Sequence, residues 1–138
     1  MRISPYLSFN GQCEEAFRLY ESCLRGTISF MMTYGDSPIA EQTPPEFHKW
    51  VMHVTLEAGG QVLQGADALP QHYQKPRGIS VSIDINGTAE AERIFAVLAE
   101  GGAVQMPLQQ TFWALRFGMV IDRFGIPWLI NCGNPGGS

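Results

Sequence analysis

The chain has 138 residues, which is enough for one ordinary domain with a real core. Apolar residues make up 45% and charged residues 16%, a globular composition and not a disordered one. The net charge of −4, a sequence pI of about 5.2 and the lack of any Lys or Arg run argue against nucleic acid as a partner.

The first element is a strand over Ile3–Phe9. Ile3, Pro5, Leu7 and Phe9 alternate with Ser4, Tyr6 and Ser8. The same polar interruptions make the segment unfit as a signal-peptide core, and no apolar run in the chain is long enough to span a bilayer. The expected protein is cytoplasmic, with no membrane partner. An Asn10-Gly11 turn follows, then an amphipathic helix whose apolar stripe is Ala16, Leu19, Tyr20, Cys23 and Leu24. Glu14 suits the positive end of that helix, and Gly26 stands where a left-handed C-terminal residue is wanted. Strand-like segments continue at Thr27–Tyr34, Trp50–Glu57 and Gln61–Ala66. Between the first two lies the polar stretch Asp36–Lys49, with Pro38, Pro44 and Pro45, which reads as a long exposed loop.

The second half repeats the first. Ile79-Ser-Val-Ser-Ile-Asp-Ile-Asn-Gly-Thr-Ala-Glu90 aligns with Ile3 to Glu14 at an offset of 76, and Gly102 then falls on Gly26. Its helix carries Ala91, Ile94, Phe95 and Leu98 at helical spacing, and its later strands read as Val104–Gln110, Trp113–Ile121 and Pro127–Cys132. The last hairpins align through Gly60 and Gly125 at an offset of 65, so about eleven residues are extra in the first half, in the Asp36–Lys49 loop. The expected organisation is an α+β fold of two βαβββ modules, at residues 1–66 and 79–138, joined by a linker at 67–78. Gly118, Gly125 and residues 133–137 supply turn and tail glycines. Cys13, Cys23 and Cys132 are an odd count without C-x-x-C spacing, so free thiols are expected and neither a disulfide framework nor a structural zinc site.

Two such modules in tandem resemble the vicinal oxygen chelate superfamily, which includes glyoxalase I, extradiol dioxygenases and bleomycin-resistance proteins. The PhnB-like branch is the closer resemblance. It rests on Ile3-Ser-Pro-Tyr-Leu-Ser-Phe-Asn-Gly11, on Val51-Met-His-Val-Thr-Leu56 and on the run from Thr111 to Asn131, and it spans nearly the whole chain. The resemblance implies curved sheets around a cavity, and His, Gln or Glu ligands on the first and last strand of each module. Those ligand positions fall near Ser4, Gln64, Ser80 and Leu129. Leu cannot ligate a metal, Ser is a poor ligand for Zn, Ni or Fe, and Gln64 is the one plausible remnant. The expected protein therefore holds no cofactor, a divalent metal (Zn, Ni, Mn or Fe) being the alternative. Sequences of this type are often labelled demethylubiquinone methyltransferases. Such an enzyme needs a cofactor-binding βα turn and a larger α/β sheet, and two βαβββ units offer neither.

Hairpin geometry then selects candidate residues. A two-residue turn at Gly59-Gly60 pairs Glu57 with Val62, Thr55 with Gln64 and His53 with Ala66 on one face. Parity with the implied ligand strand makes this the cavity face. His53, Thr55, Glu57 and Gln64 would form a polar cluster there beside Tyr6 and Ser8, with Ser80, Ser82, Arg116 and Asn131 as candidates in the second module. His53 could be a general base, a ligand of a displaced metal with Glu57, a donor to an anionic ligand, or a half-buried strand histidine satisfied by Thr55. Glu57 is either catalytic or a solvated carboxylate near a turn. His48 and His72 are expected to be exposed. Trp113 with Tyr6 could line an apolar pocket, or the aromatic set Phe112, Trp113, Phe117, Phe124 and Trp128 could serve core and dimer packing alone. No G-x-G-x-x-G, G-x-x-x-x-G-K-[ST] or G-x-S-x-G motif supports nucleotide binding or serine hydrolysis. The expectation is a homodimeric binder of a small molecule, an aromatic or cationic compound being one candidate. The alternative is a divergent metal-dependent enzyme using His53, Glu57 and Gln64.

Overall fold

The computed structural model describes residues 1–133, so the tail glycines Gly136 and Gly137 lie outside the described residues. The chain divides into two units, Met1–Lys75 and Pro76 onward. The first contains β1 (Tyr6–Phe9), α1 (Cys13–Cys23), β2 (Thr27–Thr33), β3 (Val51–Ala58) and β4 (Gln61–Asp67). The second contains β5 (Val81–Ile85), α2 (Thr88–Ala99), β6 (Ala103–Gln109), β7 (Arg116–Ile121) and β8 (Pro127–Cys132). The two sheets have the orders β1-β4-β3-β2 and β5-β8-β7-β6. In each, the first and last strands of the unit pair in parallel and the other pairs are antiparallel. Each unit is thus a βαβββ module with a four-stranded mixed sheet.

Each helix covers one face of its own sheet. Cys13, Ala16, Phe17, Tyr20 and Cys23 of α1 are buried, and so are Val54 and Leu56 of β3 and Leu63 of β4. Phe17 meets Phe9 and Tyr20 edge-on at 5.9 and 5.5 Å between centroids. Each fully buried ring of this size contributes about 2 kcal/mol by removal from water. Gly65 leaves the space Phe17 uses, since a Cβ there would lie 2.7 Å from that ring. In the second unit Ala91, Ile94, Phe95 and Leu98 of α2 pack over Val120, Trp128 and Ile130. All three cysteines are buried, and none forms a disulfide among the described residues.

Several boundaries differ from the sequence reading. Both first strands start late, at Tyr6 and Val81, and Ile3 and Ile79 are 90% and 78% exposed. The apolar alternation there has no ladder partner. Pro5 has no N–H to give, and its carbonyl alone joins the sheet, accepting from Gln64 N at 3.1 Å. β7 starts at Arg116 and not at Trp113. Thr111 Oγ1 accepts from the N–H of Trp113 at 3.3 Å and of Ala114 at 3.1 Å, a local turn that competes with the ladder.

Gly26 and Gly102 are needed for space and not for left-handed backbone. The left-handed residues are the preceding ones, Arg25 (φ 53°) and Gly101 (φ 73°). A Cβ on Gly26 would lie 2.6 Å from the Glu57 carbonyl oxygen, and one on Gly102 would lie 2.2 Å from that of Ile121. The first-half insertion folds into three short 3-10 turns at Tyr34–Asp36, Ala40–Gln42 and Pro45–Phe47. His48 is half-buried within it, its Nε2 at 3.0 and 2.8 Å from the carbonyl oxygens of Ala40 and Thr43, while His72 is exposed. His48 is therefore not exposed, because it is the side chain that closes the loop on itself.

Two buried carboxylates organise the units. Asp67, at the end of β4, accepts from Gly11 N and Cys13 N through Oδ1 at 2.8 and 3.0 Å and from Val51 N through Oδ2 at 2.9 Å. It joins the β1–α1 turn, the start of β3 and the end of β4. Asp122 holds the β7–β8 turn, accepting from Phe124 N, Ile126 N and Trp128 Nε1 at 2.9, 3.0 and 2.9 Å.

Candidate functional site

The β3–β4 hairpin sets the first site. Gly59 and Gly60 have φ of 56° and 78°, the values of a two-residue type I′ turn, which fixes the register at Ala58↔Gln61. Glu57 then lies opposite Val62, and Thr55 opposite Gln64. Tyr6 lies opposite Gln64 from the other side, and Ser8 opposite Ala66. Because Val54, Leu56, Leu63 and Gly65 face α1, these alternate residues occupy the helix-free face. The structure therefore brings Tyr6, Ser8, His53, Thr55, Glu57 and Gln64 onto one face of one sheet.

His53 is the hub. Tyr6 Oη lies 3.0 Å from its Nδ1, and Thr55 Oγ1 lies 3.1 Å from its Nε2. A neutral imidazole has one donor and one acceptor nitrogen, so the chain of bonds runs in one direction at a time. If Tyr6 donates to Nδ1, Nε2–H donates to Thr55 and the threonine hydroxyl is left to donate outward. In the other tautomer the tyrosine hydroxyl donates outward. Burial raises the Tyr6 phenol pKa, with Cys13 and Tyr34 adding to the shift, so the phenol stays a neutral donor and acceptor.

Two residues on this face were not among the sequence candidates. Phe30 and Met32 of β2 lie opposite Thr55 and His53, and the Phe30 ring is 5.8 Å from the imidazole, on which the Tyr6 ring also bears at 5.6 Å. An irregularity between Ile28 and Phe30 skips Ser29 and inverts the parity of β2. No alternation count across Thr27–Tyr34 would have found them.

The second-module candidates separate. Ser82 pairs with Leu129, and Asn131 pairs with Asp84 and Phe117, all on the helix-free face of the second sheet. Arg116 does not join them. It lies opposite Cys132, with the parity of buried Gly118 and Val120, and its Nε reaches Glu92 Oε1 on α2 at 3.2 Å. Ser80 is exposed one residue before β5. Trp113 sits in the turn before β7, edge-on to Phe117 at 5.1 Å.

The metal positions implied by the resemblance do not suit an ion. Ser4, Ser80 and Leu129 offer no strong ligand beside Gln64, and no group of three or more His, Cys, Asp or Glu able to hold a metal occurs among the described residues. Both His53 nitrogens are already in hydrogen bonds, so ligation would cost one of them.

Residues 1–131 match the protein family described as 3-demethylubiquinone-9 3-methyltransferase. The crystal structure of protein PA1353 from Pseudomonas aeruginosa is 46% identical, covering 96% of this chain and 98% of that one, with a TM-score of 0.89. A Bacillus cereus structure described as a putative 3-demethylubiquinone-9 3-methyltransferase, PhnB protein, is 24% identical over 96% of this chain and 100% of its own, at a TM-score of 0.82. A glyoxalase/bleomycin resistance protein/dioxygenase family enzyme from Burkholderia phytofirmans PsJN, 11% identical over 94% and 96% of the two chains, shares the fold at a TM-score of 0.62. No helix is long and apolar enough to cross a membrane among the described residues.

Proposed function

The chain belongs to the 3-demethylubiquinone-9 3-methyltransferase family, within the PhnB-like branch of the vicinal oxygen chelate superfamily, and from that premise we propose that it binds a small molecule on the helix-free face of its first sheet without a metal ion. The observation that carries the reading is the Tyr6–His53–Thr55 chain, flanked by Gln64 and by the Phe30 ring. A few convergent polar groups beside aromatic surface are what a small-molecule site needs. The arrangement fits a neutral ligand that offers both a donor and an acceptor and has a flat apolar part to lie against Phe30 and Tyr6.

The methyl transfer in the family description finds little room in the first unit. A dinucleotide or nucleoside cofactor approaches a βα turn through glycine backbone. Here Gly11 is covered by Trp50, whose ring is 2.9 Å from where a Cβ would stand.

A thermal-shift screen of small metabolites, repeated on His53→Ala and Gln64→Leu, tests the reading. Hits that depend on both residues support it. Binding of S-adenosylmethionine, or stoichiometric Zn, Ni, Mn or Fe that purifies with the protein and is lost in His53→Ala, would overturn it in favour of an enzyme using His53, Glu57 and Gln64. The chain is further read as a cytoplasmic homodimer. Support comes from the exposed apolar residues Ile3, Phe30, Val104 and Met106 in or beside edge strands. A light-scattering mass of one chain at micromolar concentration would contradict this.

A further inference from the structure

We propose that Glu21, in the last turn of α1, is a positioning residue for the face on the opposite side of the first sheet: it fixes the strand irregularity that turns the Phe30 ring toward His53. The proposal rests on the reading that this face binds a small molecule. In an unbroken antiparallel ladder, Ile28 opposite Leu56 would be followed by Ser29 opposite Thr55 and by Phe30 opposite Val54. Val54 is buried under α1, so the phenyl ring would point at the helix and a serine would stand beside His53. One extra residue reverses this. Ser29 is skipped, Phe30 stands opposite Thr55, and its ring lies 5.8 Å from the imidazole.

The skip is held from α1. Glu21 Oε2 accepts from the N–H of Ile28, the residue just before Ser29, at 2.7 Å. A carboxylate acceptor makes this a charge-assisted bond. Arg18 Nη1 lies 3.5 Å from the other oxygen, Oε1. The Glu21 carbonyl oxygen accepts from Gly26 N at 2.9 Å, so one residue ties down the turn into β2 with both its backbone and its side chain.

The second module supplies the contrast. At the offset of 76, Gln105 is skipped between Val104 and Met106 in the same way, while Val97 stands in the place of Glu21. The skip itself therefore belongs to the scaffold. In the second sheet it presents Met106 opposite Met119, an unbranched side chain that adapts to whatever covers it. A phenyl ring is a good flat contact only when its direction is set beforehand, since ordering it on binding costs affinity. The carboxylate is found in the copy that presents the ring.

The test uses the full chain as wild type, Glu21→Val, Glu21→Gln and Phe30→Leu. Glu21→Val gives the first module the side chain that the second tolerates at that place. In proton NMR of the free proteins, the His53 ring protons report the ring current of Phe30. Glu21→Val should move these resonances in the same direction as Phe30→Leu, while the Val54 and Leu56 methyl signals under α1 stay in place. Glu21→Gln, whose carboxamide oxygen can accept the same N–H, should keep the wild-type positions. Benzamide, a flat neutral probe with a donor and an acceptor, should bind Glu21→Val about fivefold more weakly than wild type in calorimetry, as for a lost ring contact. Unchanged His53 resonances in Glu21→Val, an equal displacement of the Val54 and Leu56 signals, no rescue by Glu21→Gln, or equal benzamide affinity overturns the proposal. If benzamide binds none of the four proteins while the ring shifts follow the expected pattern, the first-sheet reading falls and the placement of Phe30 by Glu21 stands.

Discussion

The helix-free faces of the two sheets share a plan and differ in almost every side chain. Where the first sheet sets Tyr6, Gln64 and Thr55 in a row, the second sets Ser82, Leu129 and Met119. Where the first has His53 beside that row, the second has Phe117, followed by Asn131 and then by Asp84 on the edge strand. The helix-covered faces behave oppositely: an aliphatic and aromatic core under an amphipathic helix recurs in both, closed in both by a glycine pressed on a carbonyl. The repeat therefore constrains the face that packs and leaves the other free to vary, which is where binding chemistry can differ between two copies of one scaffold.

The largest effect should come from the carboxylates that close each unit. Asp67→Ala strands three backbone donors from distant segments, and it should cost about 3–5 kcal/mol in urea unfolding. Asp122→Ala strands two backbone donors of one turn and the Trp128 indole, and should cost less. An equal or reversed order would show that the long-range clamp of the first unit is no stronger than the local one of the second.

The paired glycines come next. Gly26→Ala and Gly102→Ala should each cost about 2 kcal/mol or more, since backbone carbonyls cannot step aside as a side-chain tip can. Gly102→Ala should be the worse, its contact being 2.2 Å against 2.6 Å. Thermal denaturation of the two variants side by side reads the ranking.

A chimeric face sharpens the comparison. Thr55→Met with Gln64→Leu gives the first sheet the furniture of the second. It should keep stability within about 1 kcal/mol, since both positions are on the partly exposed face, while abolishing any ligand that the wild-type face binds. Tyr6→Phe is milder still. It removes one end of the His53 chain, and a stability change above about 1 kcal/mol would show that Tyr6 holds the fold and not the site.

The smallest effect is one of pH. Burial raises the Asp67 carboxyl above the ordinary aspartate value of 3.8, against the lowering effect of its three backbone hydrogen bonds. Between those two values the folded chain holds the proton and the unfolded chain has released it. Stability from this group is therefore greatest below 3.8 and is lost as pH rises through the raised value. Asp67→Asn should flatten that slope in pH-dependent unfolding.

Much of this was legible in the sequence because two periodicities repeat. The offset of 76 shows both modules at once, and the Gly59-Gly60 turn dictates the pairing that gathers His53, Thr55, Glu57 and Gln64. What escaped were local departures from period two. The skipped Ser29 hid Phe30 and Met32, and the Thr111 turn moved Trp113 out of its strand. Arg116 was assigned to the cavity face by its polarity. Its parity with Gly118 and Val120 places it with the helix, where Glu92 pairs with it. Asp67 reads as the first linker residue, because nothing in a chain of letters announces that Gly11, Cys13 and Val51 will point their amides at it.

The parallel pairing of β1 with β4 has a consequence for synthesis on the ribosome. The first strand of the chain can find its neighbour only when the last strand of its module has emerged, and the Asp67 clamp arrives with it. Until then α1 and the β2–β3 pair can form only a partial sheet, with the free edge of β3 awaiting β4 and β1 awaiting the same strand. Once Asp67 clears the exit tunnel, every strand partner of the first module is present and the second has yet to be made. Nascent-chain assays should therefore show a sharp gain in protease resistance once the chain is long enough for Asp67 to have left the tunnel.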